Sequence, residues 1–216
     1  THSIECAQIG AGLLQVLEAK RFTLPQDLQP WLPERDLVEA ACFAHDLGHP
    51  PFGHGGEQAL QARMWNQGGF EGNGQTLRII TKLEKYTAAG WGTNPTRRLI
   101  LAVLKYPIPY SGFSATDHKQ KPPKCYFDEE RPLVEWALSA LPAADVSKLA
   151  ERDEKLKARH RTFDCSLMEL ADDIAYGVHD IEDIVARQLA TKEHVLSEMT
   201  AAFNKPGSPV LQDGEA

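Results

Sequence analysis

The chain holds 216 residues, 42% hydrophobic and 25% charged, the composition of an ordinary soluble globular protein long enough for one substantial domain. A formal net charge of -7 gives no general attraction to nucleic acid or to an anionic membrane, but leaves room for a local basic pocket that takes a phosphorylated small molecule. No apolar run approaches the length of a membrane span and no signal peptide is present, so a cytoplasmic protein is expected.

The four cysteines, Cys6, Cys42, Cys125 and Cys165, are far apart and form no CxxC pair, so buried free thiols in a reducing compartment are expected. The sequence opens at Thr1-His2 already inside a helical pattern and closes in a polar tail, which reads as a piece of something longer.

Taken in order, Ile4, Ile9, Leu13, Val16 and Leu17 predict a helix over residues 4–20, in which Gly10 and Gly12 permit close packing. Residues 24–33 hold three prolines and form a connector. Leu37, Val38, Ala41 and Cys42 carry a helix over 34–44, with His45-Asp46 at its end and Gly48 and Pro50-Pro51 breaking it. Another helix starts after Gly53 and runs through Glu57, Ala59, Leu60 and Met64, followed by a Gly-rich loop over 66–74. Leu77, Ile79, Ile80 and Leu83, reaching toward Tyr86, predict a helix ended by the Ala-Gly-Trp-Gly stretch at 89–92. Pro95 seats the first turn of the next helix, which carries Leu99, Ile100, Val103 and Leu104.

Residues 106–124 contain four prolines and no periodicity, and are expected to form a long loop; loops of that length usually have a function. Residues 131–141 read as helical, and the charged run 148–161 as a solvated helix. The longest helix is expected over 163–189, with Leu167, Leu170, Ile174, Val178, Ile181, Val185 and Leu189 on one side and Asp172, Tyr176, His179 and Asp183 on the other. No stretch shows sustained strand alternation, so the fold class is all-α, with residues 1–216 as a single domain.

The chemistry concentrates in Phe43–Glu57, FAHDLGHPPFGHGGE, where three histidines and two carboxylates sit among two prolines and four glycines. Adjacent His45 and Asp46 point about 100° apart on a helix, but at a helix end they can converge on one ion. Imidazole and carboxylate suit Mn, Fe, Zn or Mg-like ions, and two ligands are too few for a tight site. His2 and Asp172 fit as completions from opposite ends of the chain. Each residue alone has a bland explanation: a lone His near a helix start is ordinarily structural, and an Asp on a polar helix face is ordinarily solvated. The constellation carries the metal reading.

Thr1-His2-Ser3, His45-Asp46 followed by LGHPPFGHGGE, and Glu169-Leu-Ala-Asp172-Asp173-Ile-Ala-Tyr176 with His179-Asp180 together resemble the HD-domain superfamily. Phe-Glu-Gly-Asn at 70–73 and Lys-Tyr-Pro at 105–107 are similar, within it, to the deoxyguanosine triphosphate triphosphohydrolases. The resemblance implies packed helices around a single site for one divalent ion, Mn or Mg favoured over Fe or Zn. His2, His45, Asp46 and Asp172 are its implied ligands, Asp172 preferred to Asp173 because it stands four residues before Tyr176. The implied reaction is attack of water on the α-phosphorus of a deoxynucleoside triphosphate, dGTP favoured, releasing deoxynucleoside and tripolyphosphate.

In that reading His54, paired with Glu57, relays a proton. His49 donates to phosphate, Tyr176 packs on the deoxyribose and Asp180 hydrogen-bonds the sugar. Lys105 and Lys121 to Lys124 offer cationic help, although loop lysines are usually only solvated. The family pattern also expects a phosphate-binding arginine just before His2, a position this sequence does not supply. A homo-oligomer, a hexamer by resemblance, is expected. The alternatives are hydrolysis of another nucleotide phosphoester, or a non-catalytic regulator that binds nucleotide or single-stranded nucleic acid.

Overall fold

In a computed structural model, which describes residues 1–90, 92–114 and 122–205, the chain is all-α, and among the described residues only isolated bridges interrupt the helices. The helices are α1 (His2–Ala19), α2 (Arg35–Ala44), α3 (Gly53–Met64), α4 (Gly72–Arg78), α5 (Arg97–Val103), α6 (Arg131–Leu138), α7 (Ala143–Leu149), α8 (Phe163–Ala186) and α9 (Lys192–Phe203). The chain divides into two compact units, Thr1–Asp172 and Asp173–Ala216. No helix among the described residues is long and apolar enough to cross a membrane.

The first unit is organised by small residues on facing helices. α1 buries Cys6, Ala7, Gly10, Ala11 and Leu14, and α2 buries Val38, Ala41 and Cys42. A Cβ on Gly10 would stand 2.9 Å from Val38 Cγ1 and 3.0 Å from Cys42 Sγ, so its absence lets the two helices close on each other. Ala102 and Val103 of α5 and Cys165, Met168 and Ala171 of α8 complete this core. A second cluster joins Leu77 of α4, Ile100 and Leu101 of α5, Tyr126, and Val134 and Ala137 of α6. Burying one such Leu or Ile side chain contributes about 2 kcal/mol. The Arg98 guanidinium on α5 grips both carboxylate oxygens of Asp164 at 2.6 and 2.9 Å, which fixes the start of α8. All four cysteines are buried and free.

Several local expectations change. Gly72 to Gly74 are the first turn of α4 rather than loop, because Glu71 caps them by accepting the Gly74 N–H at 2.8 Å. α4 runs into a π-turn, Ile79–Leu83, and Tyr86 lies beyond it, near isolated bridges of Lys85 with Gly92 and Thr87 with Gly90. Pro95 precedes the helix, and Thr96 caps α5 by accepting the Leu99 N–H. Within residues 106–124 the backbone is ordered on both flanks: Tyr110–Gly112 is a 3₁₀ turn, and Ile108 and Tyr110 exchange backbone hydrogen bonds with Tyr126. Residues 115–121, with Lys121, lie outside the described residues.

The charged run 148–161 is not a helix. α7 stops at Leu149, and the Asp153 carboxylate then draws the N–H groups of Lys155 and Lys157 into a turn at 2.8 Å each, with Leu156 in the left-handed region at φ 61°. Along α8 the buried face is Cys165, Met168, Ala171 and Ala175, whereas Leu170, Ile174, Val178 and Ile181 of the expected apolar side stand 37–49% exposed.

Candidate metal centre

The turn that carries His45 and Asp46 is seated on the start of α4. Gly48 N–H donates to Thr76 Oγ1 at 2.9 Å, and that hydroxyl donates back toward His45 O at 3.1 Å. A Cβ on Gly48 would overlap Thr76 N and Gly72 O, and one on Gly72 would lie 2.7 Å from the His49 ring. The two glycines therefore let the turn and the helix meet backbone to backbone, which sets where α2 ends and where its last imidazole points.

Four side chains of the first unit converge there. His2 Nε2 donates to Asp172 Oδ1 at 3.0 Å and lies 3.8 Å from Asp46 Oδ2. His45 Nε2 is 3.3 Å from both Asp46 Oδ2 and Asp172 Oδ1. The His2 and His45 rings meet edge to face, centroids 5.3 Å apart. α1 supplies His2 from its first turn, the end of α2 supplies His45 and Asp46, and α8 supplies Asp172. His45 is the buried member, its side chain 1% exposed, while Asp46 is the most open at 43%.

This donor set fits a divalent ion. His45 Nδ1 donates to Cys42 O at 2.6 Å, which leaves Nε2 as the nitrogen facing the other donors. That Nε2 is buried and has no hydrogen-bond partner. Buried polar atoms are nearly always paired, so an orphan aimed between two carboxylates marks a place for a cation. The spacings of 3.0–3.8 Å match neighbouring ligands around an ion with bonds of about 2.1 Å. His2, His45 and Asp46 form a group able to hold a metal ion, and Asp172 adds a second carboxylate.

The electrostatics agree. Burial pulls the His45 imidazole down, but the Asp172 and Asp46 carboxylates overcome it and push it up to about 10. Burial opposes ionisation of Asp172 and Asp46, yet His45 holds Asp172 well below the usual carboxylate range and lowers Asp46, with Lys105 assisting at Asp172 and His49 at Asp46. In the absence of an ion a proton on His45 plays the cation's part.

His54 and Glu57 meet beside this centre on the first turn of α3. His54 Nδ1 is 3.5 Å from Glu57 Oε2, with the ring 83% exposed and the carboxylate 3% exposed. Phe52 precedes them in the left-handed region at φ 69°, and a Cβ on Gly56 would overlap Pro51 O, so the tight turn holds the histidine outward. His49 lies against the candidate ligand Asp46, its Nδ1 3.2 Å from Oδ1. Tyr176 and Asp180 belong to the second unit, where both are exposed on α8.

Three further side chains, Glu71 buried and Lys105 and Lys124 part-buried, surround these groups. Lys124 is neither solvated nor idle: its Nζ lies 2.9 Å from Glu71 Oε1 and 3.6 Å from Glu57 Oε1. Lys105 Nζ lies 3.4 Å from Asp172 Oδ2 and 3.8 Å from Glu169. Glu71 is fully buried. Burial lowers both lysines, but Glu71 and Glu57 around Lys124, and Glu169 and Asp172 around Lys105, raise them above the ordinary range. A Lys in a proline-rich segment gives no periodic signal; the usable hint was the Lys105-Tyr106-Pro107 and Phe70-Glu71-Gly72-Asn73 matches.

The chain is similar to known proteins. The HD domain family model matches residues 1–106. A "Deoxyguanosinetriphosphate triphosphohydrolase-like protein 2" of Deinococcus radiodurans is 47% identical over 89% of this chain and 47% of its own length. Proteins named "Deoxyguanosinetriphosphate triphosphohydrolase-like protein" from Shewanella pealeana and Shewanella oneidensis are 42% and 41% identical, over 99% and 98% of this chain. The chain spans about half the length of these curated relatives, 47% to 52%.

Proposed function

We propose, from the premise that this chain belongs to the HD-domain family alongside the deoxyguanosinetriphosphate triphosphohydrolase-like proteins, that it carries the hydrolytic centre of a metal-dependent deoxynucleoside triphosphate triphosphohydrolase. The observation that supports this most is the convergence of two imidazoles and two carboxylates, with His45 Nε2 orphaned among them, beside an exposed His54 backed by a buried carboxylate.

His2, His45, Asp46 and Asp172 would hold one divalent ion, Mn or Mg favoured. When bound, such an ion polarises a phosphoryl oxygen and lowers the pKa of a bound water. The remaining roles belong to the chain. Glu57 faces Nδ1 of His54, so the ring presents Nε2 to the outside and can move a proton at the reacting phosphate. Water adds to the α-phosphorus, the bond from phosphorus to the deoxynucleoside 5′-oxygen breaks, and that oxygen leaves protonated. His49 lies against Asp46 and, on the family resemblance, donates to phosphate. On the family resemblance Tyr176 packs on the deoxyribose and Asp180 bonds the sugar. dGTP is the favoured substrate and a homo-oligomer the favoured assembly.

Incubating the protein with dGTP and Mn²⁺ and separating the phosphate products by anion exchange tests this reading. Deoxyguanosine with intact tripolyphosphate is expected. Orthophosphate or pyrophosphate would assign the site to another phosphoester, and no turnover of any nucleotide would assign it to a binding role.

A further inference from the structure

Two buried carboxylates share one ammonium behind His54. Glu57 is buried, and its Oε1 accepts the Gly72 N–H at 2.9 Å while Oε2 faces His54. Glu71 is fully buried, and its Oε1 accepts from Asn73 Nδ2 and Lys124 Nζ at 2.9 Å each, while Oε2 takes the Gly74 N–H at 2.8 Å. Lys124 thus stands 0.7 Å nearer to Glu71 than to Glu57, from 3.6 Å against 2.9 Å, and 5.6 Å from the Tyr106 ring centroid.

From this we infer that Glu71 is a positioning residue for the hydrolytic reaction: it takes the closer contact with the Lys124 ammonium, so that Glu57 serves His54 rather than Lys124. At short range an ammonium offsets the field of the carboxylate it pairs with, so a Glu57 in close contact with Lys124 would hold an imidazole proton less firmly. Glu71 takes the closer contact, and its links to Asn73 and Gly74 fix its own carboxylate to the first turn of α4. That same turn supplies the Gly72 N–H to Glu57, so one backbone segment sets both carboxylates. If Glu71 loses its charge, the only other carboxylate within 4 Å of Lys124 among the described residues is Glu57, and the ammonium closes on it.

The inference rests on the proposed hydrolase reading for its kinetic arm only. Glu71→Gln keeps the shape and a carbonyl oxygen for the Gly74 N–H. Its kcat for dGTP with Mn²⁺ is expected to fall about tenfold with KM within about twofold. The second arm needs no turnover: acylation of Lys124 by acetic anhydride, followed by mass spectrometry. With Glu57 taking over the ammonium, Lys124 stays protected in Glu71→Gln and in Glu57→Gln, and reacts about tenfold faster or more only when both are changed. Lys124 reacting in Glu71→Gln as fast as in the double variant overturns the inference, as does an unchanged kcat in a folded Glu71→Gln protein. If the unaltered protein hydrolyses no nucleotide, the functional reading fails and the acylation pattern alone decides. Glu71→Asp, which keeps a capping carboxylate but draws it back from Lys124, serves the same readouts if the glutamine variant does not fold.

Discussion

At His45 one ring has to satisfy two occupants. Its Nδ1 is committed to Cys42 O, and its Nε2 is open to a proton or, in the proposed centre, to a metal ion. Pushed up to about 10, the imidazole stabilises the metal-free fold fully below its ordinary value of about 6.5, and that contribution is lost as pH rises through about 10. The lowered Asp172 and Asp46 act in the opposite sense, present above about 3.9 and lost as pH falls. Chelator-treated protein should therefore melt at lower temperature as pH is raised from about 7 to 10, and Mn²⁺ should remove that decline. Because the ion must displace the His45 proton, the apparent Mn²⁺ affinity should rise about tenfold per pH unit over the same range. A flat affinity in chelator competition counts against His45 as a ligand. Asp46→Ala should lose the metal by elemental analysis, whereas His54→Ala should keep it and lose about 100-fold or more in kcat. Retained metal in the first or near-full turnover in the second would each remove that residue from its role.

Among the elements, α4 decides whether the candidate site is assembled. Gly48→Ala puts a methyl group into the backbone of Thr76 and Gly72, so it should cost about 3 kcal/mol in urea denaturation and reduce metal content together. A stable Gly48→Ala protein that still binds metal would show that the turn can reach its geometry without that contact. The importance of this seat was hard to read beforehand. Three of the residues at 66–74 that belong to a helix or its cap are glycine or a capping acid, and glycine ordinarily argues for loop. What overrides it is close approach, a tertiary fact. The same holds for α8, whose length was legible from its periodicity but whose buried face was not. Small residues, Ala171 and Ala175 with Cys165, line the packed side because the neighbouring helices come near, and large apolar residues remain outside. The candidate ligands His45, Asp46, His2 and Asp172 were legible because their types and order match a known pattern. The pairing of Glu71 with Lys124 was not, because an ion pair 53 residues apart leaves no local periodicity, although Lys124 stood among the lysines expected to offer cationic help.

At the scale of the molecule, the surface of α8 and α9 is unusually apolar. Leu170, Ile174, Val178 and Ile181 recur at three- and four-residue intervals along α8, and Leu196, Met199 and Phe203 of α9 are 40–53% exposed. Exposed apolar side chains at helical spacing mark a helix face that prefers to be covered. The native protein should therefore enhance the fluorescence of anilinonaphthalene sulfonate, and Ile174→Gln with Val178→Gln should reduce that signal without lowering the melting temperature. An unchanged signal in the double variant would place the dye elsewhere.

The converging donors come from residues 2, 45, 46 and 172, so His2 and Asp172 are 170 positions apart along the chain. During synthesis from the N-terminus, His2, His45 and Asp46 emerge long before Asp172, and the set cannot close until the first half of α8 has been made. Closing a loop of that length carries an entropy cost of about 4.6 kcal/mol beyond the constant term, which an ion bound to all four groups would help to offset. In the proposed centre metal loading would then be a late event, and a chain truncated before residue 172 should bind Mn²⁺ more weakly than this one.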